Sequence, residues 1–153
     1  MAASMLKIEI NVEYNEWRKS IPKFNENIRQ AIRKTFKSVL KKANPDYELS
    51  ILLTSNNEIK KLNKKYRRIN KMTNVLAFPM DDEISENRKM LGDIVISLEA
   101  VTIEAKKYKI SRRKYLCKMI IHGLLHLLGY DHIKDHDFHE MNKIEKEVFK
   151  KII

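Results

Sequence analysis

Residues 122–132 read His-Gly-Leu-Leu-His-Leu-Leu-Gly-Tyr-Asp-His. On a helix, side chains four apart stand one turn above each other on the same face, so His122 and His126 can aim both imidazoles at one point. Gly129 lets the chain end the helix in a left-handed conformation and turn back, so His132 can approach that point from outside. Three neutral imidazoles suit a tetrahedral zinc and leave its fourth position open, as a catalytic site requires. Nickel, cobalt or copper would also accept such ligands. A lone histidine on an apolar face is usually a core residue satisfied by a hydrogen bond; three at this spacing around a helix-ending glycine point to a metal. A competing set, His132, His136 and His139, also falls on one helical face, but Asp135 reads there as a cap on a polar, exposed helix.

The residue after the first histidine bears on the reaction. Zinc proteases with an H-E-x-x-H helix use that glutamate as general base; here the position is Gly123. RNA demands less, because it carries its own 2′-hydroxyl nucleophile and needs chiefly stabilisation of phosphoryl charge. Two basic segments could face such a substrate. Lys60–Lys71 (KKLNKKYRRINK) holds seven basic residues, and Lys106, Lys107, Lys109, Arg112, Arg113 and Lys114 precede the histidine helix. Most of these suit solvated helix faces or general phosphate contacts. An arginine among them could grip a phosphate bidentately.

The elements that must position these groups follow from periodicity. Leu6, Ile8, Ile10 and Val12 alternate as a half-buried strand. Ser20 and Pro22 read as a helix start, continued by Phe24, Ile28, Ala31, Thr35, Val39 and Leu40 until Asn44-Pro45. Strands are expected at 48–54, 74–80 and 91–97, the last two pairing as a hairpin across a long polar loop at 81–89. Asn56 and Asn57 could cap a short helix bearing Ile59, Leu62 and Tyr66. Ser97 caps a helix to about Lys107. Ser111 caps one running to Leu128 that is apolar nearly all round, the expected central buried helix. A last amphipathic helix starts at Asp135. Four strands with interleaved helices predict one α/β (α+β) domain on a single sheet, spanning 1–153, with residues 1–4 (MAAS) read as a remnant ahead of the fold.

The charge balance is +11, which favours a polyanionic partner, although lysines coating helix faces would give the same number. Three glycines and three prolines leave little for linkers or low-complexity arms. Cys117 is the single cysteine, so no internal disulfide can form; its apolar surroundings suit a buried structural thiol in a reducing compartment. No apolar run has the length of a membrane span, and no signal peptide is evident. A cytoplasmic, soluble protein is expected.

These blocks together resemble the YbeY-type endoribonucleases. The histidine block matches at 122–132, and so do Tyr66-Arg67, Thr73-Asn74-Val75-Leu76-Ala77-Phe78-Pro79 and Leu91-Gly92-Asp93-Ile94-Val95-Ile96-Ser97, in the family's order. The resemblance implies a single mixed four-stranded sheet with about five flanking helices. It implies one zinc per chain on His122, His126 and His132, and cleavage of single-stranded RNA. It implies work on the ribosome: maturation of small-subunit rRNA ends and ribosome quality control, with no membrane or DNA involved. Arg67, after the aromatic Tyr66, matches the family's functional arginine, with Arg68 adjacent. His122 is assigned a second role, leaving the metal or carrying a proton during turnover, and Asp131 is expected to support a histidine ring or backbone. Ala77 stands where the family usually has serine. Two rivals stay open: a zinc hydrolase of peptides or small molecules with its base at Glu99 or Asp93, and a zinc-stabilised RNA or ribosome-assembly factor without turnover.

Overall fold

Apolar residues alternating on a strand bury one face, and β1 (Leu6–Val12) forms where that alternation starts the chain. The elements that follow are α1 (Glu16–Ser20), α2 (Phe24–Val39), β2 (Asp46–Thr54), α3 (Asn56–Arg67), β3 (Val75–Ser85), β4 (Arg88–Ser97), α4 (Leu98–Lys107), α5 (Arg112–Leu127) and α6 (Asp135–Ile152). The computed structural model describes residues 6–39, 46–67, 75–85, 88–130 and 135–152, and side chains for all of these except 67, 81–85 and 135–138.

The sheet has the order β1-β2-β4-β3. β1, β2 and β4 run parallel, which requires helical crossovers between them, and β3 pairs antiparallel with β4 as a hairpin. The single mixed four-stranded sheet is therefore observed, with six helices among the described residues where about five were expected. Leu49, Ile51 and Leu53 of β2 join Ile94 and Ile96 of β4 in the main core with α2, α5 and α6. On the other face Val95 and Leu76 meet Ile59 of α3.

Helix α5 is the centre of that core. Ser111 caps it, its Oγ accepting the Lys114 N–H at 3.1 Å. Leu116, Cys117, Ile120, Leu124 and Leu125 are fully buried. Burial pushes the Cys117 thiol up to about 11, keeping it protonated. Among the described residues no helix is long and apolar enough to cross a membrane.

Three local expectations are corrected. Ser20 does not cap α2; it ends the short helix α1, which exists because Trp17 is fully buried and its indole N–H donates to the Thr54 carbonyl at 2.9 Å. Asn56 is the first residue of α3 rather than its cap. Ser55 Oγ accepts the Glu58 N–H at 3.4 Å, and the Asn56 side chain accepts from the Ser97 hydroxyl. The loop expected at 81–89 is mostly strand: β3 and β4 continue to Ser85 and Arg88, through register shifts after Pro79 and Glu83. Polar residues and a proline are tolerated there because β3 is an edge strand.

Candidate functional site

Along the second half of α5 every residue from Met119 to Leu127 is buried except His122 and His126, which are partly exposed. Over these residues the helix opens to solvent only where the two imidazoles stand. Their Nε2 atoms are 3.1 Å apart, with ring centroids 4.6 Å apart and planes at 77°. Two nitrogen ligands on one tetrahedral zinc, each roughly 2.0–2.1 Å from it, stand about 3.3 Å apart. The pair therefore fits a shared metal in spacing and in donor chemistry.

The helix end that holds them is built by Gly129. The Gly129 N–H donates to the His126 carbonyl at 3.1 Å and the Tyr130 N–H to the Leu125 carbonyl at 2.9 Å, with Gly129 at φ +97°. This pair of bonds satisfies two end carbonyls and ends the helix within a turn of the second histidine. Burial, then the Glu140 charge, hold the Tyr130 phenol above its ordinary range, so it remains a hydrogen-bond donor.

His122 has a further partner. Its Nδ1 lies 2.5 Å from Glu145 Oε1, on α6, with both side chains largely sheltered. A carboxylate accepting Nδ1–H leaves the Nε2 lone pair facing His126 and any metal. The placement depends on α6 docking. Met141, Val148 and Ile152 bury its inner stripe, and the Lys34 ammonium of α2 donates to the Lys151 carbonyl at 2.6 Å. Sequence reading missed Glu145, yet a signal existed: the spacing Met141, Glu145, Val148, Ile152 sets a carboxylate within a buried helical stripe.

Other expected site residues are less fully placed. His132, Arg68 and Asp131 lie outside the described residues, as do the side chains of Arg67 and His136, although Arg67 ends α3. Among the described residues no three His, Cys, Asp or Glu side chains form a metal-holding group. The lysines of α3 (Lys60, Lys61, Lys64 and Lys65) are all exposed. In the second basic cluster Arg113 turns inward to Asn27 Oδ1 at 3.1 Å, joining α5 to α2, so its role is structural.

The rival bases have other surroundings. Glu99 accepts the Asn56 N–H at 3.1 Å, at the start of α3. Asp93 lines a groove on the α3 side of the sheet, its carboxyl raised above the usual range by burial and then by Glu9. Gly123 has a packing reason as well: a Cβ there would meet Ile94 Cγ2 at 3.0 Å. A glutamate at that position would point into β4, so the protease base has no room.

The sequence profile of a family described as Endoribonuclease YbeY matches residues 11–153. The chain is 40% identical to the Endoribonuclease YbeY of Pelagibacter ubique, covering 95% of each. It is 35% identical to that of Clostridium botulinum strain Hall, over 90% of this chain and 95% of that one. In structure it is similar to the solution structure of TM1509 from Thermotoga maritima, with a TM-score of 0.63, 28% identity, and coverage of 97% of this chain and 89% of that one.

Proposed function

The chain belongs to the YbeY endoribonuclease family, and from that premise we propose that it cleaves single-stranded RNA with the help of a zinc ion on His122, His126 and His132. It is a hydrolase of RNA phosphodiester bonds, with a role in rRNA processing. The observation that carries the site assignment is the convergence of His122 and His126, Nε2 to Nε2 at 3.1 Å, at the two partly exposed positions of an otherwise buried stretch from Met119 to Leu127. The finer reading, from the same resemblance, puts the work in the cytoplasm, on the ribosome, at the ends of small-subunit rRNA.

When bound, zinc supplies a Lewis acid for phosphoryl oxygen or water. The chain's own residues do the rest. Glu145 holds the His122 ring and keeps its Nε2 available. Arg67 grips the scissile phosphate through its planar fork and stabilises charge developing there. The exposed lysines of α3 hold neighbouring phosphates without reading bases.

The decisive assay is cleavage of an end-labelled single-stranded RNA by the wild-type chain and by His126→Ala prepared identically. Cleavage by the wild type alone is expected, with zinc content lost in the variant. Equal activity in both would expose a contaminating nuclease; binding without product in either would favour the assembly-factor reading.

A further inference from the structure

On the sheet face opposite α5, helix α3 covers only part of the strands. Beside it lies a groove of about 520 Å³, in the size range of small-ligand sites. Cross-strand register explains its lining. Glu9, Ser50, Asp93 and Phe78 form one row across all four strands; Asn11, Leu52, Val95 and Leu76 form the next. Side chains of one row share a face, so polar groups and apolar ones alternate along the groove floor.

The rim is aromatic and exposed. Tyr66, at the end of α3, is 60% exposed and Met80 47%. The Tyr66 ring meets Phe78 edge-on at 5.7 Å and 67°, and the Lys65 ammonium sits 5.1 Å from its centroid. Large apolar side chains left open at a concave surface are a binding feature, since burying them stabilises any complex that covers them.

Charge narrows the occupant. Helix α3, which lines the groove through Leu62 and Tyr66, bears the exposed Lys60, Lys61, Lys64 and Lys65, the last beside the Tyr66 ring, while the floor carries the half-buried carboxylate of Asp93 near Glu9. A basic peptide would be repelled by the lysines of α3 and an acidic one by the floor. A nucleotide satisfies both: its phosphate is an anion for the lysines, and its base offers a flat face to an aromatic ring and, in three of four cases, an exocyclic amine to a carboxylate.

We propose that this groove is a nucleobase subsite that takes an amino-bearing base (cytosine, adenine or guanine) of the single-stranded RNA whose phosphates lie along α3. It rests on the reading of the chain as an RNA-cleaving enzyme. Tyr66 stacks on the base, and Asp93 accepts from its amine. Uracil, with a carbonyl oxygen in place of the cytosine amine, meets the carboxylate acceptor to acceptor and is disfavoured. The groove is set apart from the histidines by the sheet itself: Gly92 lies against Leu127 of α5, whereas its neighbour Asp93 faces the groove.

The test uses the full chain carrying His126→Ala, so that RNA is bound and not cut. Dissociation constants for oligo(rC), oligo(rA) and oligo(rU) of equal length are compared by fluorescence anisotropy at one salt concentration. Oligo(rC) and oligo(rA) are expected to bind about ten-fold tighter than oligo(rU), the discrimination typical of one well-placed base contact. Asp93→Asn, whose amide can donate to uracil, should erase that preference while oligo(rU) binding persists. Tyr66→Ala, at a position 60% exposed, should weaken all three while Trp17 emission stays that of the folded chain. Titration with cytidine monophosphate should shift the Met80 methyl resonance. Equal affinities for the three oligonucleotides, a preference surviving Asp93→Asn, or a Met80 shift produced by a lysine-phenylalanine peptide and not by cytidine monophosphate would each overturn the subsite. Cleavage by the unmutated chain is scored separately. Cleavage with equal base affinities overturns the subsite alone, whereas base preference without cleavage overturns the enzymatic reading alone.

Discussion

The two imidazole nitrogens 3.1 Å apart have different surroundings, and substitutions should separate them. Glu145 touches His122 and not the reacting phosphate, so it is a positioning residue. Glu145→Ala should lower zinc affinity about 10–100-fold, measured by competition with a chromophoric chelator. Glu145→Gln keeps an oxygen that accepts Nδ1–H and should retain most of the affinity; equal affinity in Ala and wild type would remove the assigned role. Arg67 is expected to act on phosphate alone. Arg67→Ala should cut the cleavage rate by two orders of magnitude or more, about the scale of losing one charge-stabilising donor, with zinc content unchanged. Loss of both together would show that the side chain supports the fold. The histidines were legible because an i, i+4 pair is a local property of one helix. Glu145 lies 23 residues from its partner and was not, because the contact exists only once α6 has packed across α5.

At the scale of elements, two glycines hold the site's frame for different reasons. At Gly129 a Cβ would meet nothing within 4 Å, so the cost of Gly129→Ala is conformational, roughly 1 kcal/mol for a left-handed alanine. At Gly92, with φ +139°, a Cβ would fall 2.1 Å from the Phe78 carbonyl oxygen, which is backbone and has little freedom to yield. Gly92→Ala should therefore cost clearly more, and chemical denaturation of the two variants ranks them; the reverse order would contradict this account. The capping signals of α4 and α5 were readable, since Ser97 and Ser111 each accept the N–H three residues on. Helix α1 was not, because five residues carry no period and Trp17 is held by a contact to Thr54, 37 residues away. The length of β3 was hidden for a related reason: its outer half pairs through backbone, to which side-chain pattern is blind.

The molecule as a whole carries a formal charge of +11, and four of its lysines stand exposed along α3. Engaging about five phosphates would release enough counterions to weaken single-stranded RNA binding by roughly two orders of magnitude between 50 and 200 mM salt. A dissociation constant that barely moves over that range would rule out backbone tracking by the basic face. Composition revealed this much, although it did not say that Arg113 is withdrawn into the α2–α5 contact. The indole of Trp17, the chain's one tryptophan, is sealed in the core and tied to the end of β2, in an element that carries none of the proposed site residues. Its emission is thus a built-in gauge of folding: blue-shifted while α1 and β2 remain joined, red-shifted when they part. Every variant above can be read on that one lamp before its chemistry is compared.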